Sequence, residues 1–370
     1  MKTFVVIIAL LSVIGCSGES QPQPTYHAEA NPERLSDWGM VTATDGTLVL
    51  SDSVTPYDLA TPLFSDYAKK LRTVWLPDNQ PAQYHDTQSF DFPIGSVITK
   101  TFYYPQSSAQ WDGVVSTQAT APLVDGGMSL NGVRLIETRL LVRRANGWAA
   151  LPYVWNDEQT DAVLKRAGAV ERLRLARDDN SVEDFAYIVP NANQCAGCHV
   201  TNASTKAIQP IGLKTRHLNK PSSFQPEFNQ LDHWLAAGLL EGDIETSAPQ
   251  NAVWTDETAP LEERARAYLD INCSHCHNPN GPADTSGLNL EPDAVDAALG
   301  LCKPPIAAGG GTGGRPYDLV PGAPDQSITV FRMETTDPAA MMPELGRAIA
   351  HEEGVRLIAS WIESLEGRCG

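Results

Sequence analysis

The sequence predicts an α+β multidomain protein, with an N-terminal antiparallel β-sandwich followed by two mainly α units. Three observations carry this. Residues from about Trp38 to Pro190 contain no cysteine and hold several β-branched and aromatic runs bounded by turn residues. Beyond 190, apolar residues recur at helical spacing. Two Cys-x-x-Cys-His strings, at 195–199 and 273–277, each fall in one of those later segments. The expected divisions are a targeting segment at 1–15, a flexible tether at 16–36, a β-rich domain at 37–190, and α units at 191–250 and 255–370. A chain of 370 residues is long enough for two or three domains of ordinary size.

Within the β-rich domain, Val97-Ile-Thr-Lys-Thr-Phe-Tyr-Tyr104 has strand composition and is bounded by Pro93 and Pro105. Leu135–Arg144 and Trp148–Trp155 flank Ala145-Asn146-Gly147, a hairpin signal because Asn and Gly both tolerate positive φ. Phe185–Val189 reads as a further strand, and Asp161–Ala167 as one short helix. In the first α unit, Leu231, Trp234, Leu235 and Leu239 share a face of a helix expected over 229–240. The second unit opens with a helix over 261–272, with Pro260 before it and Glu262 and Glu263 in its first turn. It closes with one over 352–366, carrying Val355, Ile358, Trp361, Ile362 and Leu365 on one stripe.

The N-terminus reads as an export signal: Met1-Lys2, then an apolar run from Phe4 to Ile14 too short to span a bilayer. It ends in Val13-Ile14-Gly15-Cys16, the form of a bacterial lipoprotein processing site, so Cys16 is expected to carry a lipid anchor. Ser17 after the cysteine favours the outer membrane, facing the periplasm. The formal net charge is −18, and −19 once residues 1–15 are removed. That balance argues against nucleic acid or an anionic membrane surface as partner.

The two strings carry the chemistry. Covalent haem attachment needs two thiols at the spacing of the porphyrin vinyl groups and a histidine directly after them to ligate the iron. A shuffled chain of this composition would hold about 0.003 such strings. The sequence therefore predicts two covalently bound haem c groups, at Cys195/Cys198/His199 and at Cys273/Cys276/His277. A zinc ribbon is disfavoured because 75 positions separate Cys198 from Cys273. Around the second string, a helix feeding the cysteines, a Met-Pro loop and a closing amphipathic helix are the parts of a class I cytochrome c. Met342 is then the expected sixth ligand, with Met341 the weaker candidate. Cys302 and Cys369 are expected to form a disulfide. For the first haem, His217 and His233 are the local candidates for a sixth ligand. His85, Met40 and Met128 are distant ones, and an open five-coordinate iron is the alternative. His275, inside the second string, is expected to be exposed.

Several stretches resemble a family of uncharacterised bacterial dihaem c-type cytochrome lipoproteins. They are Tyr57-Asp-Leu-Ala-Thr-Pro-Leu-Phe-Ser-Asp-Tyr67, Glu137-Thr-Arg-Leu-Leu-Val-Arg143, Pro152-Tyr-Val-Trp-Asn156, the two haem strings and Met342-Pro-Glu-Leu-Gly346. The resemblance implies haem binding and electron transfer, and for some relatives an accompanying exported β-helix protein. It also implies Asn or Gln in relatives where this chain has His217, which weighs against that residue. An electron-transfer protein rather than an enzyme is expected, with the redox partner unspecified. The alternatives are a dihaem peroxidase-like oxidoreductase using an open iron at His199, and a haem-based sensor or polysaccharide-binding lipoprotein. In the last, Trp111, Trp148 and Trp155 would be exposed rather than core residues.

Overall fold

A computed structural model describes residues 23–118, 123, 124, 126–306 and 308–370. The targeting segment and Cys16, with its expected lipid, lie outside the described residues. The strands are β1 (Val41–Thr44), β2 (Thr47–Leu50), β3 (Thr55–Tyr57), β4 (Lys69–Trp75), β5 (Ala82–Gln83), β6 (Val97–Pro105), β7 (Val114–Ser116), β8 (Gly127–Ser129), β9 (Val133–Arg144), β10 (Gly147–Trp155), β11 (Ala162–Leu164), β12 (Ala169–Ala176), β13 (Val182–Val189) and β14 (Leu240–Glu241). The helices are α1 (Cys195–His199), α2 (Thr215–Leu218), α3 (Gln230–Ala236), α4 (Leu261–Leu269), α5 (Asp296–Leu299), α6 (Ile328–Glu334) and α7 (Glu352–Ser364).

The central element is a six-stranded antiparallel sheet in the order β11-β10-β9-β6-β4-β3. Its longest hairpin, β9–β10, turns at Ala145-Asn146-Gly147, with Gly147 at φ 120 opposite Arg144. Around it lie the three-stranded sheets β1-β2-β8 and β13-β12-β7 and the pair β14-β5; β7 runs parallel to β12, and β5 to β14. One face of the central sheet buries Leu140, Val142 and Tyr153 with Trp38 and Met40, and the Trp38 indole donates to the Tyr153 hydroxyl at 2.7 Å. The other face, with Val74, Ile98 and Leu141, packs on Leu213, Leu218, Leu231, Trp234 and Ile271.

The expected fold class does not hold. Among the described residues, strand accounts for 27% and helix for 20%, spread over several sheets and seven short α-helices, so the two mainly α cytochrome c-like units are not formed. The physical reason lies in where the apolar faces go. Leu231 and Trp234 do share a face of α3, but that face lies on the sheet, and after Gly238 the chain joins β5 as β14. Burying side chains of this size is worth about 1.5–3 kcal/mol each, whatever supplies the partner surface. Between α4 and α7, the Gly- and Pro-rich stretch 303–324 makes loops and single turns. The helix expected at 161–167 is instead β11, pairing with the end of β10.

Ties between the β-rich part and the C-terminal part fix the second string in place. The Asp66 carboxylate accepts the amides of Ala348 (2.7 Å) and Ile349 (3.1 Å), and Asn272 accepts the Phe64 amide at 2.8 Å. Helices α4 and α7 pack through Ala265, Tyr268, Leu269, Ile358, Trp361 and Ile362. Cys302 and Cys369 are bridged as a disulfide that holds the end of the chain beyond α7. Among the described residues, no helix is long and apolar enough to cross a membrane.

Candidate functional site

Helix α4 passes into a wider π turn, Asp270–Ser274, that delivers Cys273. The amides of Cys276 and His277 bond back to the Cys273 carbonyl at 3.1 and 2.9 Å, closing the string into one tight turn. His277 Nδ1 lies 3.1 Å from Ser286 Oγ, whose own hydroxyl is 2.7 Å from the Ala283 carbonyl. With that hydroxyl proton committed, Nδ1–H donates to Oγ, and Nε2 is left with its lone pair free. This is the tautomer a metal requires, held in place by the Ser286 hydroxyl. Burial, with Arg332 and Lys303 nearby, pulls the imidazolium down to about 4.

Cys273, Cys276 and His277 open onto a cavity of about 710 Å³, which Met342, Leu345 and His351 also line. The volume is in the range that small-molecule cofactors occupy. Met342 lines this cavity. Met341 does not, being buried with its amide bonded to the Asp337 carbonyl. Cys273 and Cys276 are unpaired thiols that burial pushes up to about 12. A haem therefore fits the second string in donor set, ring tautomer and space.

The first string is the five-residue helix α1, capped upstream where Asn191 Oδ1 accepts the Asn193 and Gln194 amides. His199 Nδ1 sits 2.7 Å from the Gln209 carbonyl, which only accepts, so here too Nδ1–H donates and Nε2 is free. Cys195 and Cys198 are unpaired thiols raised by burial. The gap beside His199 and Cys195, of about 60 Å³, is partly open rather than sealed. The donor chemistry of this string fits a haem. The gap is lined by Arg72 of β4, Lys100 of β6 and Arg139 of β9. The sequence reading did not single these out. The available signal was the spacing of charges in otherwise apolar strands, as in Leu71-Arg-Thr-Val74.

The two strings touch. Cys276 Sγ lies 3.4 Å from the Gly197 carbonyl, the Ala203 amide donates to Asn280 O at 2.8 Å, and Asn278 Nδ2 reaches Thr201 O at 3.4 Å. A Cβ on Gly197 would stand 2.9 Å from a Leu345 methyl, so glycine here leaves room for Leu345 beside the first string. His275 is 6% exposed, not exposed as expected, and among the described residues its Nδ1 has no hydrogen-bond partner.

His217 is buried in α2 and lines neither cavity. Its Nδ1 faces the Asn251 amide at 3.2 Å and its Nε2 lies 3.7 Å from Asp270. Of the other candidates, His85 Nδ1 accepts the Gln88 amide at 3.0 Å, His233 tilts against Phe228, and Met40 and Met128 belong to the core on the far face of the sheet. Trp155 is buried, Trp148 packs on Phe92, and Trp111 is partly exposed under the Arg134 guanidinium. Among the described residues, no three His, Cys, Asp or Glu side chains converge as a bare-ion site would need.

No family model, curated protein or solved structure matches this chain.

Proposed function

We propose that this protein is an exported, lipid-anchored dihaem c-type cytochrome that passes electrons between haems attached at Cys195/Cys198/His199 and Cys273/Cys276/His277. The observation that carries this reading is the contact between the strings, Cys276 Sγ at 3.4 Å from Gly197 O. Two attachment points that touch bring any groups they hold within a short electron-tunnelling distance. When bound, each haem supplies a one-electron iron couple.

The chain's own residues do the rest. His277 and His199 present free Nε2 atoms, oriented by Ser286 and Gln209. Met342 lines the same cavity as His277 and would supply a thioether as second axial donor. Leu288, Leu290, Ile328 and Val355 exclude water from the same cavity, and Arg332 and Arg347 on its wall offer cations to acidic groups. A redox protein in the cell envelope with this excess of negative charge is suited to a neutral or basic partner.

The test is the haem content and coordination of the purified chain. The pyridine haemochrome should report two haems, and replacing Cys273 and Cys276 by Ala should remove one. Met342→Ala should lower the potential of the second haem and abolish its Met–iron charge-transfer band. Two low-spin haems that bind neither CO nor cyanide fit electron transfer. Ligand binding at the His199 haem would instead favour the peroxidase-like alternative.

A further inference from the structure

Arg72, Lys100 and Arg139 stand in register on three neighbouring strands: Arg72 is paired with Lys100 across β4–β6, and Lys100 with Arg139 across β6–β9. Residues opposite one another point to the same face, so the three cations form one row. All three line the gap beside His199 and Cys195, on the face of the sheet that packs against the first string. Lys70, one row on, adds a fourth cation, whose ammonium donates to the Ala68 carbonyl and lies over the Phe102 ring at 5.7 Å.

Counter-charge is scarce. Glu137 pairs with Arg139 through two bonds of 2.8 and 2.5 Å and also accepts the Tyr187 hydroxyl at 2.7 Å. Among the described residues no carboxylate forms an ion pair with Arg72 or Lys100. Burial and the flanking guanidinium groups of Arg139 and Arg72 push the Lys100 ammonium down to about 7. Like charges directly opposite on a sheet repel, and buried charges are otherwise kept only where something pairs them. Glu137 occupies the fork of Arg139, so the Arg72 guanidinium and the Lys100 ammonium, which lies over the Phe102 ring at 5.2 Å, are the cations left to meet an anion. A guanidinium beside an ammonium matches a carboxylate better than it matches any neutral group.

We propose that the Arg72–Lys100–Arg139 row is a carboxylate-binding site that the β-rich part contributes beside the first string. The carboxylates have two sources, the propionates of the haem held at His199 or a free small carboxylate brought next to it. The propionate source rests on the haem reading of this string; the row itself does not.

The test uses the full-length holoprotein, with redox titration of each haem and calorimetric titration with succinate. Lys100→Met keeps the side-chain length while relieving repulsion, and Lys100→Arg keeps the charge. If propionates fill the row, Lys100→Met lowers the potential of the first haem alone, Lys100→Arg restores it, and succinate does not bind the wild type. If a free carboxylate fills it, succinate binds the wild type saturably, and Lys100→Met weakens it at least tenfold. A first-haem potential unmoved by Lys100→Met, together with no succinate binding to the wild type, overturns the proposal. A chain that carries no haem at Cys195 and Cys198 defeats the haem reading of that string, and succinate binding then decides the row by itself.

Discussion

Replacing Asp270 by Asn should destabilise the segment that carries the second string by about 3–5 kcal/mol. Asp270 is 1% exposed, and its two oxygens take the Arg216 guanidinium in a fork, Nε at 2.6 Å and Nη2 at 2.9 Å. Asn251 donates to the same carboxylate at 2.8 Å, and Arg216 also donates to the Thr87 carbonyl at 2.9 Å. Burial alone would raise the Asp270 carboxyl, but His217, Arg216 and Asn251 outweigh it and hold it well below the carboxylate range. The substitution removes the charge and turns an amide N–H₂ toward donors, leaving a buried guanidinium unpaired. At about 1.4 kcal/mol per tenfold, 4 kcal/mol is roughly a thousandfold rise in the open population of this segment. Native-state hydrogen exchange over 262–277 reads that population directly. A loss under about 1 kcal/mol would refute the account, because it would mean that water already solvates the pair. Arg216→Met with Asp270→Leu, which removes both charges, should cost far less than Asp270→Asn alone.

Three further outcomes follow from the geometry. Cys302→Ser with Cys369→Ser opens a loop whose ends are 67 positions apart, which loop-closure entropy puts at up to about 4 kcal/mol; the urea midpoint checks it, and an unchanged midpoint contradicts it. Gly354→Ala would set a Cβ 2.3 Å from the Tyr268 hydroxyl, so α7 must shift off α4 and the melting temperature should fall by several degrees. Burial lowers His217 and His351 to about 4, against about 6.5 in the unfolded chain, so the folded state binds fewer protons between those values. Stability is then complete above pH 6.5 and is lost as pH falls toward 4, by up to about 3 kcal/mol per histidine. Denaturation midpoints equal at pH 7.5 and pH 5 would count against it.

The strands were legible wherever composition alone decides. Val97–Tyr104 and the two runs around Asn146-Gly147 appear as β6, β9 and β10 because β-branched and aromatic side chains suit a buried pleat and the turn needs positive φ. What partners an apolar face was not legible. The face of Leu231 and Trp234 has the same periodicity whether it meets another helix or a sheet, and here it meets Val74, Ile98 and Leu141. Strand pairs distant in sequence, such as β5 with β14, leave no local trace either. At the site, the cysteine and histidine spacing was plain in the sequence. The burial of His275 was not, because burial depends on tertiary packing that the spacing inside a five-residue string does not encode. Arg72, Lys100 and Arg139 were passed over because an isolated charge in a strand ordinarily marks its wet face.

The touching strings make the larger cavity answer to the first string. Gly197 and Leu345 both line that cavity, and a Cβ on Gly197 would stand 2.9 Å from a Leu345 methyl. Whatever displaces Gly197 therefore pushes on the wall of the space that Cys273, Cys276 and His277 open onto.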